Sequence, residues 1–381
     1  MKENRYFCII NSITYVMMES FYIQNFKNFE ELTLNQLRRV NLFVGKNSVG
    51  KSTLLEAIAI YLSDGDENCL KEILAGRGEP VFYGKQNEDI WDVKKERFLS
   101  LFRGWEENYS KFFCIKRGEK KEDPLTIQQV YISDFRKNGM EGIQTLYIYN
   151  QEDIDENGGK LPITTNGLVA TKADGDTSLI RYDNIRPFTI KTYKRIPYQM
   201  VHTVDFDGTD NAALYDKISL SPLENFIVKA LNIINENIDR ITFVNEGGSD
   251  RFRIPVVSLK DTGRRVHLSS MGDGLNRVLT IILSLLNCKN GVLLLDEFET
   301  GLHYSVQKQL WDIIFLLAEE LNVQVFVTSH SFDCLKAFAE ANVSEQGMLI
   351  RLEQRSAGIE PVCYTENKDI MFAAENDIEL R

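Results

Sequence analysis

The chain has 381 residues, 43% hydrophobic and 26% charged, which excludes a disordered or collagen-like chain and allows two or three domains' worth of core. With 44 Lys and Arg against 55 Asp and Glu, the formal charge is −11. Bulk charge therefore does not hold this chain on nucleic acid, and any such contact needs a local basic patch. The longest apolar run, Val278–Leu286, is nine residues and too short to span a bilayer, so no membrane contact is expected. The six cysteines (8, 69, 114, 288, 334, 363) are scattered without a C-x-x-C pair and read as reduced thiols in a cytoplasmic protein.

Residues 1–18 begin with Lys2 and Arg5 and run mostly apolar to Met18. Asn11, Ser12 and Thr14 break the stretch and no small-x-small cleavage site follows, so it does not read as an export signal. Two readings stay open: an extra N-terminal strand, or a working start at Met17 or Met18. From Ser20, Phe21, Ile23 and Phe26 alternate with polar residues as in an edge-type strand, and a second short strand is expected near Phe29–Leu34. Val40–Val44 is apolar enough for a strand buried on both faces. A helix opens at Gly50-Lys51-Ser52 and continues at helical spacing through Leu54, Leu55, Ile58 and Leu62. The range 65–210 is more polar, with loop clusters at 64–68, 116–123, 153–160 and 174–177. Short alternating runs such as Thr145–Tyr149 and Phe188–Tyr193 lie between them, as expected of an inserted α/β lobe of hairpins and a few helices. Ser221-Pro222-Leu223-Glu224 reads as a capping box with Pro at the first helical position, followed by the stripe Leu223, Phe226, Ile227, Ala230, Leu231 and Ile234.

Four motifs carry chemistry. Gly45, Lys46, Asn47, Ser48, Val49, Gly50, Lys51 and Ser52, with Thr53 next, match G-x-x-x-x-G-K-[ST] between a buried strand and a helix. Such a loop curls so that its N–H groups face phosphates, aided by the helix N-terminus. Lys51 then reaches the β- and γ-phosphates of ATP and the Ser52 hydroxyl ligates Mg²⁺. Val292–Leu295 is a strand delivering Asp296 toward the Mg²⁺ site, with Glu297 placed as general base for the attacking water. Val323–Val327 is another buried strand, ending in Thr328-Ser329-His330, which puts His330 at the sheet edge where α/β folds bind ligands and toward the γ-phosphate. Leu268–Gly274 is a Ser/Gly-rich opening of an apolar helix over 275–288. It reads as a second anion site, at Ser270 and Gly272, acting on ATP held by a partner copy.

In this order, P-loop, Ser270-Met-Gly272-Asp, Leu-Leu-Leu-Asp296-Glu297 and Thr-Ser-His330, the sequence resembles the ABC-type ATPase heads. That group includes transporter heads, SMC and RecF proteins and OLD-type ATPases. Glu299-Thr300-Gly301-Leu302-His303, Ser-Met-Gly-Asp-Gly-Leu-Asn-Arg277, His303-Tyr304-Ser305 and Glu379-Leu380-Arg381 resemble the OLD-like and abortive-infection (AbiEii-type) AAA ATPases in particular. Phe298 stands where many relatives have Pro, and Met271 where the ABC signature has Gly. Gln128, Gln129 and Gln144 are all candidates for the Q-loop glutamine. Only 51 residues follow His330, too few for the Toprim nuclease domain of OLD nucleases. The resemblance implies an α/β P-loop NTPase of ABC-head type with a mixed sheet flanked by helices. Its head would be split into 1–64 and 211–381 around the 65–210 insert. The implied activity is Mg²⁺-dependent hydrolysis of ATP in an ATP-dependent homodimer. The implied setting is bacterial anti-phage defence or a toxin-type system with a separately encoded effector. A RecF/SMC-like repair ATPase binding DNA is the rival, though the heptads of a long coiled coil are absent. A transporter subunit and a non-hydrolysing scaffold fit less well, given the insert and His303 in the one case and the Asp296-Glu297 pair in the other.

Other features read as bland. Asp153-Ile-Asp155-Glu-Asn157-Gly158 begins like a calcium loop but has Thr164 at the twelfth position, so a hairpin turn is expected. Asp64-Gly-Asp66 and Asp174-Gly-Asp176 read as turns. Lys116-Arg117 with Lys120-Lys121, Lys191 with Lys194-Arg195, and Arg251 with Arg253 are candidate DNA contacts and, more simply, solvated faces.

Overall fold

The computed structural model describes residues 17–77, 95–105, 107–109, 111–118, 123–136, 144–182, 196–203, 208–245, 253–356 and 358–375. Its centre is a six-stranded sheet in the order Gly358–Tyr364, Gly347–Arg355, Val40–Val44, Gln324–Thr328, Val292–Leu295, Tyr198–Val201. All neighbours run parallel except the antiparallel pair at the Gly358–Tyr364 edge. Val40–Val44, Gln324–Thr328 and Val292–Leu295 are buried at every position, as continuous apolar runs demand when both faces are covered.

The two-residue period of a strand divides these side chains between two cores. Leu42, Val44, Leu293, Leu295, Val325 and Val327 pack against Asp273–Leu286, Tyr304–Glu320 and Phe332–Ala341 on one face. Phe43, Val292, Leu294 and Phe326 pack on the other against Lys51–Leu62 and Glu67–Gly76. Behind those helices lies a seven-stranded antiparallel sheet. Its main path is Phe29–Leu34, Phe21–Phe26, Phe112–Arg117, Pro124–Arg136, Thr165–Thr171, Thr177–Arg181, with Gln144–Tyr149 also pairing with Pro124–Arg136. A three-stranded antiparallel sheet, Ile238–Asn245, Arg253–Leu259 and Arg265–His267, leads into Asp273–Leu286. Among the described residues, no helix is long and apolar enough to cross a membrane.

The strands read as an insert do not form a sheet of their own. Phe112–Arg117 pairs with Phe21–Phe26, so they continue the sheet begun before the P-loop. Tyr198–Val201, also within 65–210, joins the central sheet beside Val292–Leu295.

Two local expectations need correction. The helix expected from Ser221 starts at Glu224 and runs only to Leu231. Ser221 Oγ donates to Ile218 O and accepts from Leu223 N–H, while the Glu224 carboxylate takes Tyr215 Oη–H and Leu220 N–H in place of the Ser221 N–H, so the reciprocal bond of a capping box is not made. The hairpin turn expected at 153–158 is a short helix, Gln151–Glu156, closed by a reciprocal cap between Asn150 and Asp153. Its flanking strands both pair with Pro124–Arg136 and not with each other, so no hairpin is formed. Asp64 pairs with Lys172, Asp66 caps Glu67–Gly76, and Asp174 accepts from Asp176 N–H in a turn. Phe188–Tyr193, Lys120-Lys121, Lys191, Lys194-Arg195, Arg251 and Glu379–Arg381 lie outside the described residues.

Candidate nucleotide site

Three adjacent parallel strands end on the same edge of the central sheet and deliver Gly45, Asp296 and Ser329-His330 there. The loop after Val44 turns through left-handed backbone at Gly45, Ser48 and Gly50, with φ of 141°, 65° and 102°. At Gly50 the glycine is required twice. A Cβ would lie 2.7 Å from Asn28 Nδ2 and 2.8 Å from the Phe29 ring, and the φ itself favours glycine. Lys51 is buried and donates from Nζ to Gly45 O at 2.7 Å and Lys46 O at 3.0 Å. Burial lowers its pKa, opposed by the nearby Asp296, Glu299 and Glu297 carboxylates.

Ser52 Oγ donates to Asp296 Oδ1 at 3.0 Å, so the two oxygens expected at the metal already meet. Thr328 Oγ1 donates to the same Oδ1 at 2.5 Å and accepts from Glu297 N–H at 2.9 Å. Glu297 sits at φ 47°, a costly conformation for a residue with a side chain. It is held by Arg277, fully buried, whose Nη2 donates to Asp296 O at 2.7 Å and Glu297 O at 3.0 Å while Nη1 donates to His202 O at 2.9 Å. His330 Nε2 lies 3.1 Å from Glu297 Oε1, and His330 N–H donates to Glu299 Oε1 at 2.8 Å. Thr300 Oγ1 donates to Glu297 Oε2 at 3.2 Å. Phe298 stacks on Trp311 with centroids 4.3 Å apart and donates its N–H to Thr328 O, a bond that a proline at this position could not make.

These residues face a cavity of about 570 Å³ lined by Asn47, Ser48, Gly50, Lys51, Ser52, Thr53, Glu297, Thr328 and His330. Its remaining wall was not read from the sequence. Lys27 and Arg77 both pair with the buried Glu56 carboxylate, at 2.8 and 2.6 Å, and Arg77 Nη2 donates to Thr53 Oγ1. Asn28, Ser100 and Trp105 complete the lining. Arg277 carried one legible signal, a lone cation within the apolar helical run. Thr328 carried none beyond its place at a strand end.

Ser270 and Gly272 are not part of that wall. Both are exposed at the N-terminus of Asp273–Leu286, where Gly272 has φ 112° and open space around it. Gln128 donates to Tyr109 O within the seven-stranded sheet, Gln129 is buried on the same strand, and the Gln144 side chain lies outside the described residues.

Residues 17–157 match a family model described as “AAA ATPase domain”, and residues 202–333 one described as “AAA domain, putative AbiEii toxin, Type IV TA system”. A Helicobacter pylori protein named ATP/GTP phosphatase is 24% identical over 387 residues, spanning 95% of this chain and 100% of its own. An uncharacterized protein of Methanocaldococcus jannaschii is 38% identical over 82 residues, 20% of this chain and 35% of that one. DNA replication and repair protein RecF of Lactobacillus johnsonii is 49% identical over 41 residues, 11% of each chain. An SMC head bound to the C-winged helix domain of ScpA aligns over 92% of this chain and 98% of its own, at 12% identity and a TM-score of 0.48. The SMC head domain from Thermotoga maritima covers 92% and 99% at 13% identity and a TM-score of 0.40. Two segments of the chain thus match AAA ATPase family models, the first containing Gly45–Thr53 and the second containing Asp296, Glu297 and His330.

Proposed function

We propose that the chain hydrolyses ATP to ADP and phosphate with Mg²⁺, in a dimer whose two heads enclose the nucleotide. The observation that carries this is the convergence of Lys51, Ser52, Asp296, Glu297 and His330 at one sheet edge. The P-loop N–H groups and Lys51 hold the β- and γ-phosphates, exchanging the two carbonyls on Nζ for phosphate oxygens. Ser52 Oγ and Asp296 Oδ1 are hard oxygen donors that suit Mg²⁺, which when bound neutralises phosphate charge. Glu297 takes the proton of the attacking water, and His330 donates a hydrogen bond to the γ-phosphate. The exposed Ser270–Gly272 turn supplies N–H groups to ATP on the partner copy. The test is phosphate release by the wild type and Glu297→Gln, with ATP binding measured separately. Wild-type turnover in Glu297→Gln would remove the base assignment.

The AbiEii-type match supports a setting in bacterial defence or a toxin-type system, in the cytoplasm, with a separately encoded effector that reads the ATP state. The RecF-like stretch favours a second reading, a DNA-binding repair ATPase. Its described candidate contacts are already engaged: Lys116 lies over the Tyr22 ring, Arg117 donates to Met17 O, and Arg253 pairs with Asp216.

A further inference from the structure

We infer that Trp105 is the platform on which the purine base of the nucleotide stacks, an inference that rests on the P-loop reading above. Trp105 is 65% exposed, yet it lines the same cavity as the P-loop. Water gains nothing from a bare indole, whereas a nucleobase covers one well. The backbone that carries the ring is also fixed in place. Gly104 and Trp105 take successive left-handed conformations, φ 84° and 58°, and Trp105 N–H donates to Phe102 O. Phe102 bridges Phe26, and Lys27 N–H donates to Leu101 O. The next residues of that hairpin, Asn28 and Phe29, press directly on Gly50. Trp105 is thus tied to the phosphate loop through a short run of backbone contacts.

The direction along the cavity agrees. Ser52, Asp296, Glu297 and His330 mark the end where Mg²⁺ and the γ-phosphate belong. Trp105 lines the cavity with Lys27 and Asn28, and Lys27 shares Glu56 with Arg77, which in turn bonds Thr53. That is the side one residue further into the P-loop helix, where the nucleoside leaves the phosphates. An indole reads the face of a base and not its edge, so adenine and guanine should stack alike.

The test is calorimetric titration of the full chain with MgATP, MgGTP and inorganic tripolyphosphate. Trp105→Ala is expected to weaken ATP and GTP by the same factor, about 5- to 100-fold, the scale of one lost base–aromatic stack. Tripolyphosphate, which has no base, should bind as to the wild type, and Trp105→Phe should restore most of the nucleotide affinity. Unchanged ATP affinity in Trp105→Ala would overturn the inference, as would an equal loss for tripolyphosphate or a loss confined to one nucleotide. Lys51→Ala separates the two levels. If it leaves ATP and tripolyphosphate binding intact, the P-loop reading itself fails; if it abolishes both while Trp105→Ala does nothing, only the platform fails.

Discussion

At the scale of single residues, the site divides into groups that touch substrate and groups that hold them. Glu297→Gln keeps Lys51, Ser52 and Asp296, so ATP affinity is expected to stay within a few-fold of wild type. Turnover should fall roughly 10²-fold or more, the scale of losing a general base. Lys51→Ala should instead remove binding, seen as loss of the ATP-dependent rise in melting temperature, since a ligand stabilises only what it binds. Arg277 belongs to the holding class. Its guanidinium satisfies three backbone carbonyls from the fully buried interior, including those of Asp296 and Glu297. Arg277→Met leaves those carbonyls unpaired and releases the strained turn at Glu297. A stability loss of about 3 kcal/mol in urea denaturation is expected, together with a fall in kcat. A variant as stable and active as the wild type would contradict this account.

Secondary-structure elements set which surfaces remain for a partner. The N-terminus of Asp273–Leu286 is capped by no side chain of its own, and the turn before it faces open space. Gly272→Glu puts a like charge where a partner's phosphates are proposed to dock. Sedimentation of Glu297→Gln with ATP should show dimers, while the double variant Gly272→Glu, Glu297→Gln should stay monomeric and still bind ATP. A dimer unaffected by Gly272→Glu would rule out this turn as the contact. The parallel strands and their polar ends were legible because a strand covered on both faces leaves an unbroken apolar run, as in Val40–Val44 and Val292–Leu295. The wall formed by Lys27, Glu56, Arg77 and Trp105 was not. It depends on ion pairs between residues 21 and 29 positions apart, and neither an ion pair nor an exposed indole leaves a periodic trace. The helix at Gln151–Glu156 has a local signal in its Asn-x-x-Asp cap, but so short an acidic stretch beside Asn157-Gly158 suits a turn equally well.

For the molecule as a whole, the charge of −11 and the engaged basic side chains argue for output through another protein. DNA affinity is therefore expected to be weak, and the isolated chain is expected not to cut DNA. Filter binding across a salt series decides: tight binding with a steep salt slope, lost when Lys116 and Arg117 are neutralised, would favour the repair reading. One architectural feature bears on how such output could leave the site. The hairpin that leans on Gly50 is also the start of the seven-stranded sheet, which continues strand by strand to Thr177–Arg181. At about 4.8 Å per strand spacing, that path is a stiff plate roughly 24 Å wide. The far rim of the sheet is thus joined to the phosphate loop through successive hydrogen-bonded strand pairs and the Phe26–Phe29 turn.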